Sequence, residues 1–291
     1  MSYLNKIKSF SFTNKIRIFK YSFGSILADS IPKGLKHTYH LLQEMKSKGI
    51  VINKKRDFVE FTDPGTNFLI SLEQNSSDSM VYQQIFLHEE YHAVLDVIAK
   101  HNLSIKTMID AGANVGFTIL YFKNQFKDLN IIGLEPSPST FKKLTRNITN
   151  NNLTNVILHK KGLWSKTTRL KAERSFRDGE DWSFRIVEAN DNEIADIETF
   201  SIQDLIEIHQ LKQIDFLKID VEGAEKNIFE NLNFLNWLPK ICLLAIEIHD
   251  EFDCRTHIEN HLSNNGFELS YSGELTIAIN KNLIHTSNKF I

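Results

Sequence analysis

The feature that most constrains the fold of this chain is a series of short apolar runs after residue 106, separated by stretches with helical spacing. Thr107-Met108-Ile109 ends at Asp110, Ile131 to Leu134 ends at Glu135, and Ile214 to Ile219 ends at Asp220; Val156 to Leu158 and Ile241 to Ile248 belong to the same series. The apolar residues come in runs rather than at every second position, as in strands covered on both faces. Helical patterns lie between most of them, one running through about Phe126 and another over Ser137 to Asn147. Alternation of this kind predicts an α/β fold, a doubly wound, mostly parallel sheet with right-handed crossovers. Phe267 to Ser270 and Leu275 to Asn280, around Ser272-Gly273, read as an antiparallel C-terminal hairpin on the sheet edge.

The residues upstream follow a different pattern. Phe58, Val59 and Phe61, a turn at Asp63 to Asn67, and Phe68 to Leu72 predict a hairpin, and apolar residues at 85, 86, 94, 95, 97 and 98 predict a helix over 83–100. The predicted organisation is therefore a basic N-terminal extension over 1–80 and one sheet domain over 81–291. Residues 163 to 200 read as loop plus short strands, with Trp164 and Trp182 expected in the core. The first 50 residues carry a net charge of +7 and the rest −9. Interleaved with Phe10, Phe12, Phe19, Tyr21 and Phe23, that basic head suits a solvated arm or peripheral contact with an anionic membrane surface. Nucleic acid is disfavoured, because the acidic remainder would repel phosphates. The longest apolar run, Ile241 to Ile246, is far short of the roughly 20 residues of a membrane span. The lack of a signal-type apolar core, and Cys242 and Cys254 forming no CxxC pair, predict a reduced, cytoplasmic compartment, with any membrane contact at its inner face.

Ligands of open α/β sheets bind beyond the carboxyl ends of the strands, where strand order reverses. The polar endings of the runs are therefore the candidate site. Asp110-Ala111-Gly112-Ala113-Asn114-Val115-Gly116 offers two glycines for a tight turn and close backbone approach. Asn114 and Phe117 stand where a dinucleotide fingerprint needs its second and third glycines, so a pyrophosphate cofactor is disfavoured. Glu135 follows Asp110 by 25 residues, close to the offset at which an acid takes ribose hydroxyls. A nucleoside without pyrophosphate fits both observations. Strand alternation puts Lys218, Asp220 and Glu222 on one face, and Glu247 and His249 on one face of the next strand. These groups could accept a proton from a hydroxyl nucleophile, or Asp220, Glu222, Glu247 and His249 could hold a hard divalent cation that lowers its pKa. The simpler alternatives are helix capping by Asp110 and Glu135, ion pairs of Asp220 and Glu222 with Lys218 or Lys226, and a backbone hydrogen bond for His249.

Asp110-x-Gly112-x-Asn114-x-Gly116, Glu135-Pro136-Ser137, Asp215 to Glu225 and Glu247-Ile248-His249 resemble the FkbM-type S-adenosylmethionine-dependent methyltransferases over about residues 81–280. The resemblance implies a class I, Rossmann-like methyltransferase fold and methylation of a hydroxyl, most often of a sugar or secondary metabolite. It places Asp110, Gly112, Asn114 and Gly116 around the methionine part of S-adenosyl-L-methionine and Glu135, followed by Ser137, at the ribose. Asp220, Glu222, Glu247 and His249 become the catalytic candidates, with Asp220, Glu247 and His249 also available to a metal. The expected acceptor is a small molecule or glycan. Two other readings are open: a protein of this fold that binds the nucleoside without turnover, and a zinc hydrolase. The second rests on His88-Glu89-Glu90-Tyr91-His92, which matches H-E-x-x-H, although Leu95 and Ile98 replace the Gly and His of its extended form.

Overall fold

The computed structural model describes residues 33–174, 184–190, 193, 196–230 and 236–287. Trp182 and the basic aromatic segment before residue 33 lie outside the described residues. The chain forms two compact units, one of Met1–Glu90 with Val115–Gln125 and Lys143–Leu153, the other of Tyr91–Asn114, Phe126–Lys142 and Thr154–Ile291.

In the first unit the helix Lys33–Ser47 buries Leu35, Leu41, Leu42 and Met45, at helical spacing. The strands β1 (Ile52–Lys54), β2 (Phe58–Thr62) and β3 (Leu69–Glu73) form an antiparallel meander. The predicted hairpin is therefore present, its turn held by Asp63, whose Oδ2 accepts the N–H groups of Gly65 and Thr66. The single helix expected over 83–100 is not. A helix Asp78–Tyr82 passes into a π-helical turn, Gln83–Leu87, and a new helix starts at His92. The π-turn's wider hydrogen bond, His88 N–H to the Gln83 carbonyl, shifts the ladder by one residue, and Glu89 at φ 51° then breaks it. Periodicity of side chains alone does not reveal such a slip.

The second unit contains the main sheet. Its strands are β4 (Thr107–Ala111), β5 (Asn130–Leu134) and β6 (Val156–His159). A small sheet follows, made of β7 (Gly162–Leu163), β8 (Arg169–Arg174), β9 (Phe184–Glu188) and β10 (Ile197–Phe200). The main sheet then continues with β11 (Ile214–Ile219), β12 (Ile241–Glu247), β13 (Phe267–Ser272) and β14 (Leu275–Asn280), in the order β13-β14-β12-β11-β4-β5-β6. From β6 to β12 the neighbours are parallel, and β14 and β13 close the edge antiparallel, as the sequence pattern predicts. The strand order reverses between β4 and β11, the switch point of a doubly wound sheet.

One sheet face carries Ile109, Leu217, Leu244 and Ala278, aligned by the register, into a core with Leu205 and Ile206, Ile228 and Phe229, and Ile258 and Leu262 from three helices. Trp164 belongs to this core. Phe117, in the first unit, is buried, 1% exposed. Both cysteines are buried free thiols. Among the described residues no helix is long and apolar enough to cross a membrane.

Candidate active site

The opposite face of the two central strands is not purely apolar. Register pairs Asp110 of β4 with Lys218 of β11, so alternation puts both on the same face. Asp110 is fully buried, and Lys218 is 2% exposed. The Lys218 ammonium lies 3.3 Å from Asp110 Oδ1 and 3.3 Å from Asp220 Oδ2, and donates to the Gly112 carbonyl at 2.6 Å. Both oxygens of Asp110 are left buried without a hydrogen-bond donor among the described residues. Burial pushes the Asp110 carboxyl up, against the pull of Lys218. For Lys218 burial acts downward, but the Asp110 and Asp220 carboxylates together outweigh it and hold the ammonium well above its usual range. One lysine thus joins the ends of two strands to the turn that follows the first.

That turn has a geometry only glycine tolerates at one point. Gly112 sits at φ +80°, and a Cβ there would lie 1.8 Å from the Asp220 carbonyl oxygen. Gly112 and Ala113 donate to the Leu134 carbonyl, and the Asp220 N–H donates to the Ala111 carbonyl, so three strand ends are laced together. Asn114, at φ 47°, directs its N–H to Glu135 Oε2 at 3.1 Å, while Ser137 N–H donates to Glu135 Oε1 at 2.8 Å. Glu135 is 8% exposed, and burial raises its carboxyl against those two N–H groups. The carboxylate thereby fixes the loops after β4 and β5 while each oxygen keeps a further lone pair. The Ser137 hydroxyl turns the other way, to the Thr140 hydroxyl at 3.1 Å in the helix Pro138–Asn150. Gly116, at φ +91° in the first unit, packs so closely on Leu144 that a Cβ would lie 2.7 Å from its Cδ1.

The ends of β11 and β12 gather the remaining candidates. Asp220, Glu247 and His249 each offer a ligand atom within 4.8 Å of the others. His249 is ringed by carboxylates: Nδ1 lies 3.1 Å from Glu225 Oε1, and Nε2 lies 3.4 Å from Glu222 Oε2 and 3.8 Å from Glu247 Oε1. Burial alone would lower the His249 pKa, but Glu225, Glu222 and Glu247 together raise it. The backbone entering the ring is clamped as well, since Arg255 donates to the Ile248 carbonyl at 2.8 Å and to Asp250. Glu222 occupies φ 51° and Gly223 φ +93°, and a Cβ at Gly223 would meet the Phe252 ring at 2.3 Å.

Of the sequence candidates in the second unit, Asp110, Gly112, Asn114 and Glu135 are interlocked at the ends of β4 and β5, and Asp220, Glu222, Glu247 and His249 at the ends of β11 and β12. Glu225 was missed, because an acid in the first turn of the helix Glu225–Glu230 reads as ordinary helix chemistry. The H-E-x-x-H match fails on backbone grounds: His88 caps the π-turn and His92 begins the next helix, so no continuous helix presents both one turn apart. His88 and His92 are exposed, and His92 pairs with Asp96 at 3.7 Å. The zinc-hydrolase reading is thereby removed.

Residues 110–269, more than half of the chain, match the methyltransferase FkbM domain. The chain belongs to the FkbM methyltransferase family. It is 30% identical over 148 residues to Methyltransferase 1 of Beauveria bassiana, a match covering 45% of this chain and 59% of that protein. It is 24% identical over 229 residues to Methyltransferase sdnD of Sordaria araneosa, covering 67% of this chain and 88% of the relative. Among solved structures, methyltransferase FkbM of Methylobacillus flagellatus aligns at TM-score 0.40 and 17% identity, over 60% of this chain and 43% of that one. The FkbM match spans every strand-end residue described above, from Asp110 through Glu135 and Asp220 to His249.

Proposed function

We propose that this chain is an S-adenosylmethionine-dependent O-methyltransferase that methylates a hydroxyl of a sugar in a glycan or glycoconjugate, with residues 81–291 as the transferase domain. The residues fit the cofactor. The observation that carries the reading is Glu135, whose carboxylate is already anchored by Asn114 and Ser137 and keeps acceptor capacity for two ribose hydroxyls. In this reading the turn from Asp110 to Asn114 receives the methionine part, with the buried Asp110–Lys218 pair holding it in shape. When bound, the cofactor supplies a methyl group on a positively charged sulfur.

A sugar hydroxyl is a poor nucleophile until its proton has somewhere to go. His249, with its neighbours Asp220, Glu222 and Glu247, is the proton acceptor of choice, because it follows the end of β12, next to the switch-point strand β11, with the preceding Ile248 carbonyl held by Arg255 and its own Nδ1 facing Glu225. The surrounding carboxylates would stabilise the imidazolium that forms. A second reading is favoured by the spacing of Asp220, Glu247 and His249, which would suit a divalent cation polarising the same hydroxyl. Incubation with methyl-labelled S-adenosylmethionine and a glycan library, with and without chelator, tests both. Labelled glycan formed equally in chelator supports the proton acceptor, loss of label in chelator supports the cation, and label on nitrogen or on no acceptor contradicts O-methylation of glycans. His249→Ala should lower turnover about 10²-fold or more, as expected for loss of a general base, with cofactor affinity kept.

A further inference from the structure

We propose that Glu225 is the positioning carboxylate of a Glu225–His249 pair, which holds the imidazole with Nδ1–H toward Glu225 and Nε2 open to the acceptor hydroxyl. This rests on the reading of His249 as the proton acceptor. Glu225 is fully buried, and its Oε1 lies 3.1 Å from His249 Nδ1 while also accepting the Val221 N–H at 3.2 Å. Its Oε2 is buried without a hydrogen-bond partner among the described residues. Its neighbours along the chain, Ala224, Ile228 and Phe229, are all buried apolar residues. A carboxylate in such surroundings is costly, and packing alone would be better served by another apolar residue. The compensation is the imidazole, beside the single Val221 N–H.

The geometry also separates the two ring nitrogens. Nδ1 has a carboxylate at hydrogen-bonding distance, whereas the nearest carboxylates to Nε2 are Glu222 at 3.4 Å, on a side chain 88% exposed, and Glu247 at 3.8 Å. A carboxylate bonded to one nitrogen sets which tautomer the ring adopts and where it points. Glu222 is free to yield its place at Nε2 to a substrate, but Glu225 is enclosed and cannot. During transfer the acceptor oxygen forms a bond to the methyl carbon as the carbon–sulfur bond breaks, the sulfur keeps that electron pair, and the hydroxyl proton passes to Nε2. Positive charge lost by the sulfonium is regained by the imidazolium, facing Glu225. Glu225 touches neither the substrate nor the transferred proton and acts only through the ring.

The test pairs nitrogen-15 NMR of His249 with turnover, using the full chain saturated with S-adenosylhomocysteine at alkaline pH, where the ring is neutral, and the labelled acceptor from the screen above. Wild type should show the Nδ1–H tautomer, and Glu225→Gln should lower kcat about 10- to 100-fold, as loss of an orienting partner does, with KM nearly unchanged and partial recovery in Glu225→Asp. The NMR spectrum needs no acceptor and reports on folded protein, so a folding defect in Glu225→Gln cannot hide the answer. An Nε2–H tautomer in wild type overturns the pairing. So does full turnover in Glu225→Gln when His249→Ala is inactive. Full turnover in His249→Ala instead sinks the proton-acceptor reading, and the proposal with it.

Discussion

Replacing Lys218 with Met should unsettle this protein more than its single buried charge suggests. The side chain is 2% exposed and lies 3.3 Å from both the fully buried Asp110 and Asp220, so Met fills much of the volume but strands a carboxylate that has no other donor. Removing one partner of a buried ion pair costs about 3–5 kcal/mol. At about 2–4 °C per kcal/mol for a domain of this size, the melting temperature should fall by roughly 6–20 °C. The deficit also has a defined pH dependence. Because the folded pKa of Lys218 is raised, its contribution is fully present below the ordinary lysine range, near about 10.4, and disappears as pH rises through the higher folded value. In the variant the Asp110 carboxyl, already raised by burial, loses the opposing pull of Lys218 and rises further. A raised acid destabilises when ionised, so the deficit should shrink as the solution is acidified and Asp110 protonates. Urea unfolding across pH measures this, and Lys218→Met with Asp110→Asn should recover much of the loss, since neither charge is then stranded. A deficit below about 1 kcal/mol at neutral pH, or one unchanged in acid, would refute the reasoning.

Two glycines on neighbouring turns should behave differently. Gly112→Ala forces a side chain to within 1.8 Å of the Asp220 carbonyl at φ +80°, so calorimetry should find S-adenosylmethionine binding abolished or the protein unfolded. Gly223→Ala presses on the Phe252 ring and disturbs the segment carrying Glu222 and Glu225, so turnover should fall while cofactor affinity stays within about threefold, or about 0.7 kcal/mol.

The main sheet was legible because its strands are buried on both faces and therefore appear as unbroken apolar runs; β4, β5, β11 and β12 follow that rule closely. Gly112 was legible as a turn because its neighbours are strand and helix, but the reason for glycine, the approach of Asp220's carbonyl, comes from a strand about a hundred residues away. Lys218 could be placed on a face with Asp220, yet its grip on the Gly112 carbonyl depends on the pairing of β11 with β4, which no local pattern encodes. Glu225 was hidden for a like reason, as it opens a helix while its partner His249 arrives just beyond the end of β12. The π-turn at Gln83–Leu87 is a backbone slip with no side-chain signature, and together with the break at Glu89 it separates the H-E-x-x-H spelling from the zinc geometry that it resembles.

The most direct test of the account is a calorimetric titration of S-adenosylmethionine into wild type and Glu135→Ala. Loss of two charge-assisted hydrogen bonds to ribose, about 3 kcal/mol together at the low end, predicts binding weakened by at least about 100-fold. Binding of equal strength in the two proteins, or none in wild type, would contradict the placement of the cofactor at the ends of β4 and β5.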